Sequence, residues 1–257
     1  MSAVLQVRNL SRAFGGIRAV DGVSFEAGGD GITGLIGPNG AGKTTMFNLI
    51  TGTTRASAGE VVFRGERIER LSAPAIARKG LGRTFQMTHV FPGLSVLDNL
   101  YRAALFRQLP SPWSLVRPAT VRQGRRQALA QAEQALAMIG MESLASDDAG
   151  ALAYGQQKIL GVGMALTTQP SMLLMDEPAA GLNAVETDAM SALIERVHHS
   201  AGVSIVLVEH DMNMVMRLCS HLVVLVNGRL LASGPAATVR DNPQVIDAYL
   251  GADLENA

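Results

Sequence analysis

Gly37-Pro38-Asn39-Gly40-Ala41-Gly42-Lys43-Thr44-Thr45 is the stretch that decides the fold. It matches Gly-x-x-x-x-Gly-Lys-Ser/Thr. Ile32–Ile36 before it is an apolar run with strand character, and Thr44–Ile50 after it has the character of a helix. A triphosphate needs several backbone N–H donors pointing inward, and glycine lets the chain curl tightly enough around an anion to supply them. A helix opening near Lys43 turns its positive end toward the same phosphates. Lys43 is then placed to neutralise the β and γ oxygens, and the Thr44 hydroxyl to ligate Mg²⁺. The plain alternative is a glycine turn without chemical consequence. The strand before it and the helix after it favour nucleotide binding, and with them the opening of a parallel α/β domain.

Working outward, Val4, Val7 and Leu10, and then Val23-Ser24-Phe25-Glu26, read as short strands that pair. Val61-Val62-Phe63 is another, with a turn at Arg64-Gly65. From about Ser95 to Leu166 strand signals fade and alanine-rich helical spacing takes over. Leu129, Ala132, Leu136 and Ile139 are expected on one buried helical face, with Gly140 as the stop. Ser171–Met175 and Ser204–Val208 read as buried strands separated by a helix from Ala184 to His198. Leu222–Val226 and Leu230–Ala232 read as a hairpin around Asn227-Gly228. Thr238–Leu250 is expected to form one closing helix.

The second chemical signal is Met172-Leu173-Leu174-Met175-Asp176-Glu177, an apolar strand ending in two carboxylates. Taken alone, these are two solvated acids capping a strand. With a phosphate loop upstream, Asp176 is placed to hold Mg²⁺, and Glu177, whose side chain points differently, to polarise an attacking water.

Composition narrows the classes. The chain has 257 residues, 47% of them apolar, which suits one large α/β domain with an insertion. Lys plus Arg and Asp plus Glu both number 22. That balance argues against sequence-independent nucleic-acid binding, which needs a broad cationic face. Cys219 is the single cysteine, so no intrachain disulfide and no thiolate zinc site is expected, as in a reducing compartment. No apolar run approaches the roughly 20 residues that span a bilayer. A soluble chain that reaches a membrane through partners is expected.

Further motifs carry a family resemblance. Leu152-Ala153-Tyr154-Gly155-Gln156-Gln157 resembles the signature motif of ABC ATPases, upstream of the Asp-Glu strand as in that family. Gln86, in Arg83-Thr84-Phe85-Gln86, resembles the Q-loop glutamine. Ala180-Gly181-Leu182-Asn183 resembles the D-loop, and His210, in Val208-Glu209-His210-Asp211, the switch histidine. Phe14 falls where the family stacks an aromatic ring on adenine. Phe14-Gly15-Gly16, Asp-Glu-Pro-Ala-Ala-Gly-Leu-Asn and the ending Asn242-Pro243…Ala248-Tyr249-Leu250-Gly251 are similar to the ATPases of branched-chain amino acid importers.

The resemblance implies an α/β fold: a P-loop ABC ATPase core with an antiparallel β subdomain and an inserted α-helical subdomain. Residues 1–94 and 167–257 would form the core with its β subdomain, and 95–166 the helical subdomain ending at the signature. It implies ATP and Mg²⁺, with ATP held by Phe14, the loop Gly37, Pro38, Asn39, Gly40, Ala41, Gly42, Lys43, Thr44 and Thr45, and, across a dimer interface, Tyr154, Gly155 and Gln156. Thr44, Gln86 and Asp176 would serve the metal, and Glu177, His210 and Gln86 the catalysis. The implied partners are a second ABC ATPase subunit packed head to tail, two transmembrane permease subunits and a periplasmic or extracellular substrate-binding protein, with this chain peripheral on the cytoplasmic face of a bacterial inner membrane. An exporter ATPase, such as one moving lipopolysaccharide, and a non-transport ABC ATPase are the alternatives.

The chain departs from the family after the signature. Where arginines and a Glu-x-x-Arg pair are usual, it has Lys158, Ile159, Gly161 and Met164. Gly161 and Gly163 are each expected to weaken that helix by about 1 kcal/mol relative to alanine. Between Tyr101 and Arg126 the chain carries Arg102, Arg107, Arg117, Arg122, Arg125 and Arg126 and no acid. That segment reads either as a solvated connector or as a face turned to anionic lipid.

Overall fold

The computed structural model describes residues 4–29, 31–84, 90–108 and 118–255. Ile32-Thr33-Gly34-Leu35-Ile36 forms strand β3 (Ile32–Ile36), buried along its whole length. A run without a solvated face belongs inside a parallel sheet. β3 pairs in parallel with β8 (Ser204–Val208) on one side and β9 (Cys219–Val226) on the other. β7 (Met172–Asp176) lies beyond β8, and β6 (Leu81–Arg83) beyond β7, both parallel. β10 (Arg229–Pro235) returns antiparallel to β9, giving the order β10-β9-β3-β8-β7-β6. Asn227 and Gly228 both have positive φ, 49° and 75°, as a two-residue hairpin turn requires.

A second, antiparallel sheet has the order β2-β1-β4-β5, from β1 (Leu5–Phe14), β2 (Ile17–Ala27), β4 (Ala58–Phe63) and β5 (Glu66–Arg67). The two sheets share a core. Met172 and Leu174 face it from β7, Val206 and Val208 from β8, and Val223 and Leu225 from β9, together with Met46 and Phe47 of helix α1 (Lys43–Ile50). Their sequence neighbours Leu173, Met175, Ile205, Leu207, Leu222 and Val224 face the opposite core. The period-two alternation of strands thus serves two apolar layers at once.

That opposite core is covered by helices α3 (Val96–Gln108), α4 (Pro118–Ile139), α5 (Tyr154–Leu166), α6 (Ala184–Ala201) and α7 (Met212–Leu218). α2 (Ala73–Arg78) precedes β6. α3, α4 and α5 pack on one another within the stretch read as helical. Of the four residues expected on one face of α4, Ala132, Leu136 and Ile139 are buried in this contact and Leu129 is not. Leu129 is 43% exposed, while Gly124, Ala128, Ala132, Ala135, Leu136 and Ile139 are buried. Small residues let the helices approach closely, and Leu129 lies just off that stripe. α5 runs unbroken despite its glycines. A Cβ on Gly163 would lie 2.7 Å from Ile139 Cδ1 and 3.0 Å from Leu100 Cδ2, so this glycine makes room for α4 and α3.

The single closing helix is also corrected. The chain forms α8 (Ala236–Arg240) and α9 (Pro243–Glu255), separated at Asp241-Asn242. Pro243 suits a first helical position, and the Asn242 Oδ1 accepts from the Gln244 amide at 2.9 Å. Arg107 does not belong to a free cationic face, because its guanidinium donates to the carbonyls of Thr168 and Gln169 beyond α5. Arg117 lies outside the described residues.

Leu173 and Leu174 are both fully buried, on opposite faces of β7. Truncating either to alanine is expected to cost about 2–5 kcal/mol in urea denaturation. Leu129→Ala is expected to stay within about 0.5 kcal/mol of the parent protein.

Candidate functional site

The loop Gly37–Gly42 joins the end of β3 to α1, and its glycines are fixed by geometry. A Cβ on Gly37 would lie 2.1 Å from the Leu225 carbonyl oxygen, and one on Gly42 2.4 Å from that of Ala19. Gly42, at φ 98°, caps α1 without any side chain, and the first turn of the helix carries no acid. The first-turn amides therefore present an uncompensated positive end. Asn39, Gly40 and Thr44 are exposed, and Thr45 is half-buried. The β9–β10 turn packs against the loop through a bond from the Gly228 amide to the Ala41 carbonyl, 3.1 Å.

Lys43 is buried, and its Nζ donates to the carbonyls of Gly37 at 2.6 Å and Pro38 at 3.0 Å. Burial lowers its pKa, and the nearby charges of Glu177 and Asp176 oppose that fall. The two acids arrive at the end of β7. Register pairs Asp176 with Val208, so the acidic end of β7 lies level with the end of β8, where Glu209 and His210 follow. The Nε2 of His210 lies 2.8 Å from Glu177 Oε1. The structure therefore brings Lys43, Asp176, Glu177 and His210 together at one edge of the sheet.

Glu177 has φ 49°, a left-handed conformation that costs a residue with a Cβ about 1–3 kcal/mol. Bonds on several sides hold it there. Its amide donates to the Val208 carbonyl at 2.8 Å, and its carbonyl accepts from the Ala180 amide at 3.2 Å and from Lys158 Nζ at 3.0 Å. Glu209 is 4% exposed and secures the same turn, with Oε1 accepting from the Ala179 amide at 2.6 Å and Oε2 from the His210 amide at 3.1 Å. Burial raises its pKa, and the two amide bonds oppose the rise.

Phe14 is 47% exposed at the tip of the β1–β2 hairpin, under the Arg12 guanidinium. The same hairpin abuts the loop where Ala19 meets Gly42. Tyr154, Gly155 and Gln156 open α5. The Gln156 Oε1 accepts from the Ala153 amide at 3.1 Å, and the Tyr154 ring borders Gly181. Gln86 lies outside the described residues.

Four side chains at the site had no place in the sequence reading of its chemistry. Lys158 and Glu209 are the two already described. Arg83 pairs with Asp176 at 2.8 Å, both groups being buried, and donates to Asn48 of α1 at 2.6 Å. Tyr249 of α9 is half-buried, and burial pushes its phenol up to about 12 against a hydrogen bond from the Gly37 backbone. A charged residue at the end of a buried strand was the available signal for Glu209, whereas Arg83 ends a strand that exists only through its pairing with β7. Nothing in the sequence points from Tyr249 to Gly37.

Comparison with known proteins gives concordant results. The family profile described as ABC transporter matches residues 20–180, and that of the branched-chain amino acid ATP-binding cassette transporter matches residues 229–255. The chain is 41% identical over 250 residues to the high-affinity branched-chain amino acid transport ATP-binding protein BraF of Pseudomonas aeruginosa, covering 96% of this chain and 98% of that one. It is 40% identical to LivG of Escherichia coli, described in the same words, over the same shares. An ATP-binding cassette of an ABC transporter, solved in its ADP conformation, superposes with a TM-score of 0.84 at 29% identity, covering 98% of this chain and all of that one.

The elevated pKa of Glu209 sets the sign of a pH effect. An acid that binds its proton more tightly in the folded state stabilises the fold while protonated, and that stability is lost as pH rises from the unfolded pKa through the folded one. Urea denaturation from about pH 4.5 upward should carry such a declining contribution from Glu209 in the parent protein, beside the opposite slope from Asp21, Glu66, Glu69 and Asp241, whose pKa values are lowered. In Glu209→Gln the decline should be shallower, above a constant loss for the amide bond that glutamine cannot accept. Parallel pH profiles would contradict this assignment.

Proposed function

This chain belongs to the ABC transporter family, as an ATP-binding, ATP-hydrolysing subunit, and from that premise we propose that it powers uptake of branched-chain amino acids or a related small polar metabolite. The observation that carries the catalytic reading is the meeting of three strand ends. β3 leads into Lys43, β7 into Asp176 and Glu177, and β8 into His210.

In this reading the triphosphate lies on the loop amides, and Lys43 exchanges the Gly37 and Pro38 carbonyls for β and γ oxygens. The adenine stacks on Phe14. Mg²⁺, when bound, neutralises charge developing between the β and γ phosphates. Thr44 and Asp176 suit it, as hard oxygen donors beside the loop, with Gln86 completing the set. Among the described residues no group of three or more His, Cys, Asp or Glu is gathered to hold a metal. Glu177 accepts a proton from the attacking water as its oxygen bonds to the γ-phosphorus and the bond to ADP breaks. His210 holds the carboxylate through Oε1 and lies within reach of the released phosphate.

One chain supplies half of each site. A second ATPase subunit, packed head to tail, would bring its phosphate loop to Tyr154, Gly155 and Gln156, where the N-terminus of α5 faces the partner's γ-phosphate. Residues 95–166 serve as the helical subdomain, and 1–94 with 167–257 as the nucleotide-binding core. Among the described residues no helix is long and apolar enough to cross a membrane. Two transmembrane permease subunits carry the pathway, a substrate-binding protein outside delivers the solute, and this chain works from the cytoplasmic face. BraF and LivG are named for branched-chain amino acid transport, and the C-terminal match at 229–255 is to a profile for the same solute class, which supports that class; import is the direction this reading assigns. Nucleic acid has no part in the cycle.

Glu177→Gln should leave ATP binding nearly intact and lower hydrolysis by orders of magnitude, because the base is lost while the metal-binding oxygens remain. Lys43→Ala should instead lose affinity for ATP. Equilibrium binding of a fluorescent ATP analogue, measured beside steady-state turnover, separates the two. Near-normal turnover in Glu177→Gln would overturn the assignment.

A further inference from the structure

The signature turn and the catalytic turn of the same subunit are joined by a buried lysine. Lys158 lies four residues after Tyr154, on the same face of α5. It is 4% exposed, and its Nζ lies 5.5 Å from the centre of the Tyr154 ring. The ammonium donates to a backbone carbonyl, that of Glu177, at 3.0 Å. Beside this bond, a Cβ on Gly181 would lie 3.2 Å from Tyr154 Cε1, so the D-loop and the signature tyrosine are packed in contact.

Burying an ammonium is costly, the nearby charges of Glu209 and Glu177 only oppose that cost, and even a complete buried ion pair can often be replaced by apolar side chains without loss of stability. Stability alone therefore gives no reason for a lysine here. Its bond ends on the one residue of the cluster whose backbone is held in a left-handed conformation and whose carboxylate must be aimed. The bond ties α5 to Glu177, and the Tyr154 contact ties it to the D-loop.

We infer that Lys158 is a positioning residue, which holds the Glu177 turn in register with α5 so that the carboxylate is aimed according to where the signature turn sits. Engagement of Tyr154, Gly155 and Gln156 with a partner's nucleotide is thereby communicated to the catalytic acid of the same subunit. The inference rests on the reading of Glu177 as the base.

The test is a double-mutant cycle on the full-length chain, reading kcat and KM for ATP together with the affinity of a fluorescent ATP analogue. Lys158→Met should lower kcat by about 10²-fold, the scale of a misplacement of roughly 1 Å at a reacting centre, with affinity for the analogue unchanged. Lys158→Arg should recover most of the loss. In a Glu177→Gln background, Lys158→Met should cause no further fall, because it acts through a carboxylate already removed. A kcat for Lys158→Met close to the parent value overturns the inference. So does a further fall in the double variant, or a loss of analogue affinity that accompanies the loss of rate. If Lys158→Met does not fold, Lys158→Gln is read by the same criteria. Normal turnover in Glu177→Gln alone would instead remove the premise, and the two failures are told apart by that arm.

Discussion

Strand β8 sits between β3 and β7, and the chemistry depends on that pairing. β3 carries the phosphate loop, β7 the paired carboxylates and β8 the histidine, and the parallel register brings all three strand ends to one edge. An antiparallel or displaced neighbour would carry Glu177 and His210 away from Lys43. The apolar alternation of these strands is therefore also a constraint on the proposed catalytic site. Two cores, one on each face of the sheet, hold the strands in a single register, because a slip of one residue would exchange their faces.

The site concentrates groups that would be unfavourable elsewhere. Glu177 has a left-handed backbone, Lys43, Lys158 and Glu209 are buried charges, and Arg83 and Asp176 form a buried pair. Each is held by specific backbone bonds: the loop carbonyls for Lys43, the Glu177 carbonyl for Lys158, and the Ala179 and His210 amides for Glu209. Removing one partner leaves an uncompensated buried charge, which is why such networks are costly to break. Preorganisation of this kind spares the site from rearranging while charge develops on the phosphate.

The parts legible in the sequence were those whose chemistry is local. Gly37–Thr45 needs its glycines in order, Asp176 and Glu177 end a buried run, and the Asn227-Gly228 turn dictates its own backbone. β6 was not legible, since three residues become a strand only by pairing with β7. Leu129 shares its helical spacing with Ala132, Leu136 and Ile139, and spacing alone does not show that it stays exposed. The close approach of α3, α4 and α5 selects the small residues instead. The break between α8 and α9 is marked by Asn242-Pro243, which the single helix expected over Thr238–Leu250 passes over. Lys158 and Glu209 could not be found as a pair of clamps, because their common target is the backbone turn at 177–180, which only the tertiary fold supplies.

The central claim is that ATP hydrolysed at this sheet edge drives a solute toward the face on which the subunit sits. It is tested most directly in sealed vesicles carrying this chain with its partner ATPase and membrane subunits. The binding protein is supplied on the far side, and movement of labelled leucine, isoleucine and valine is followed with related small polar metabolites as competitors. The account predicts ATP-dependent movement of one of these solutes from the side of the binding protein to the side of the ATPase, abolished by Glu177→Gln. ATP turnover without such movement, or movement in the opposite direction, would contradict it.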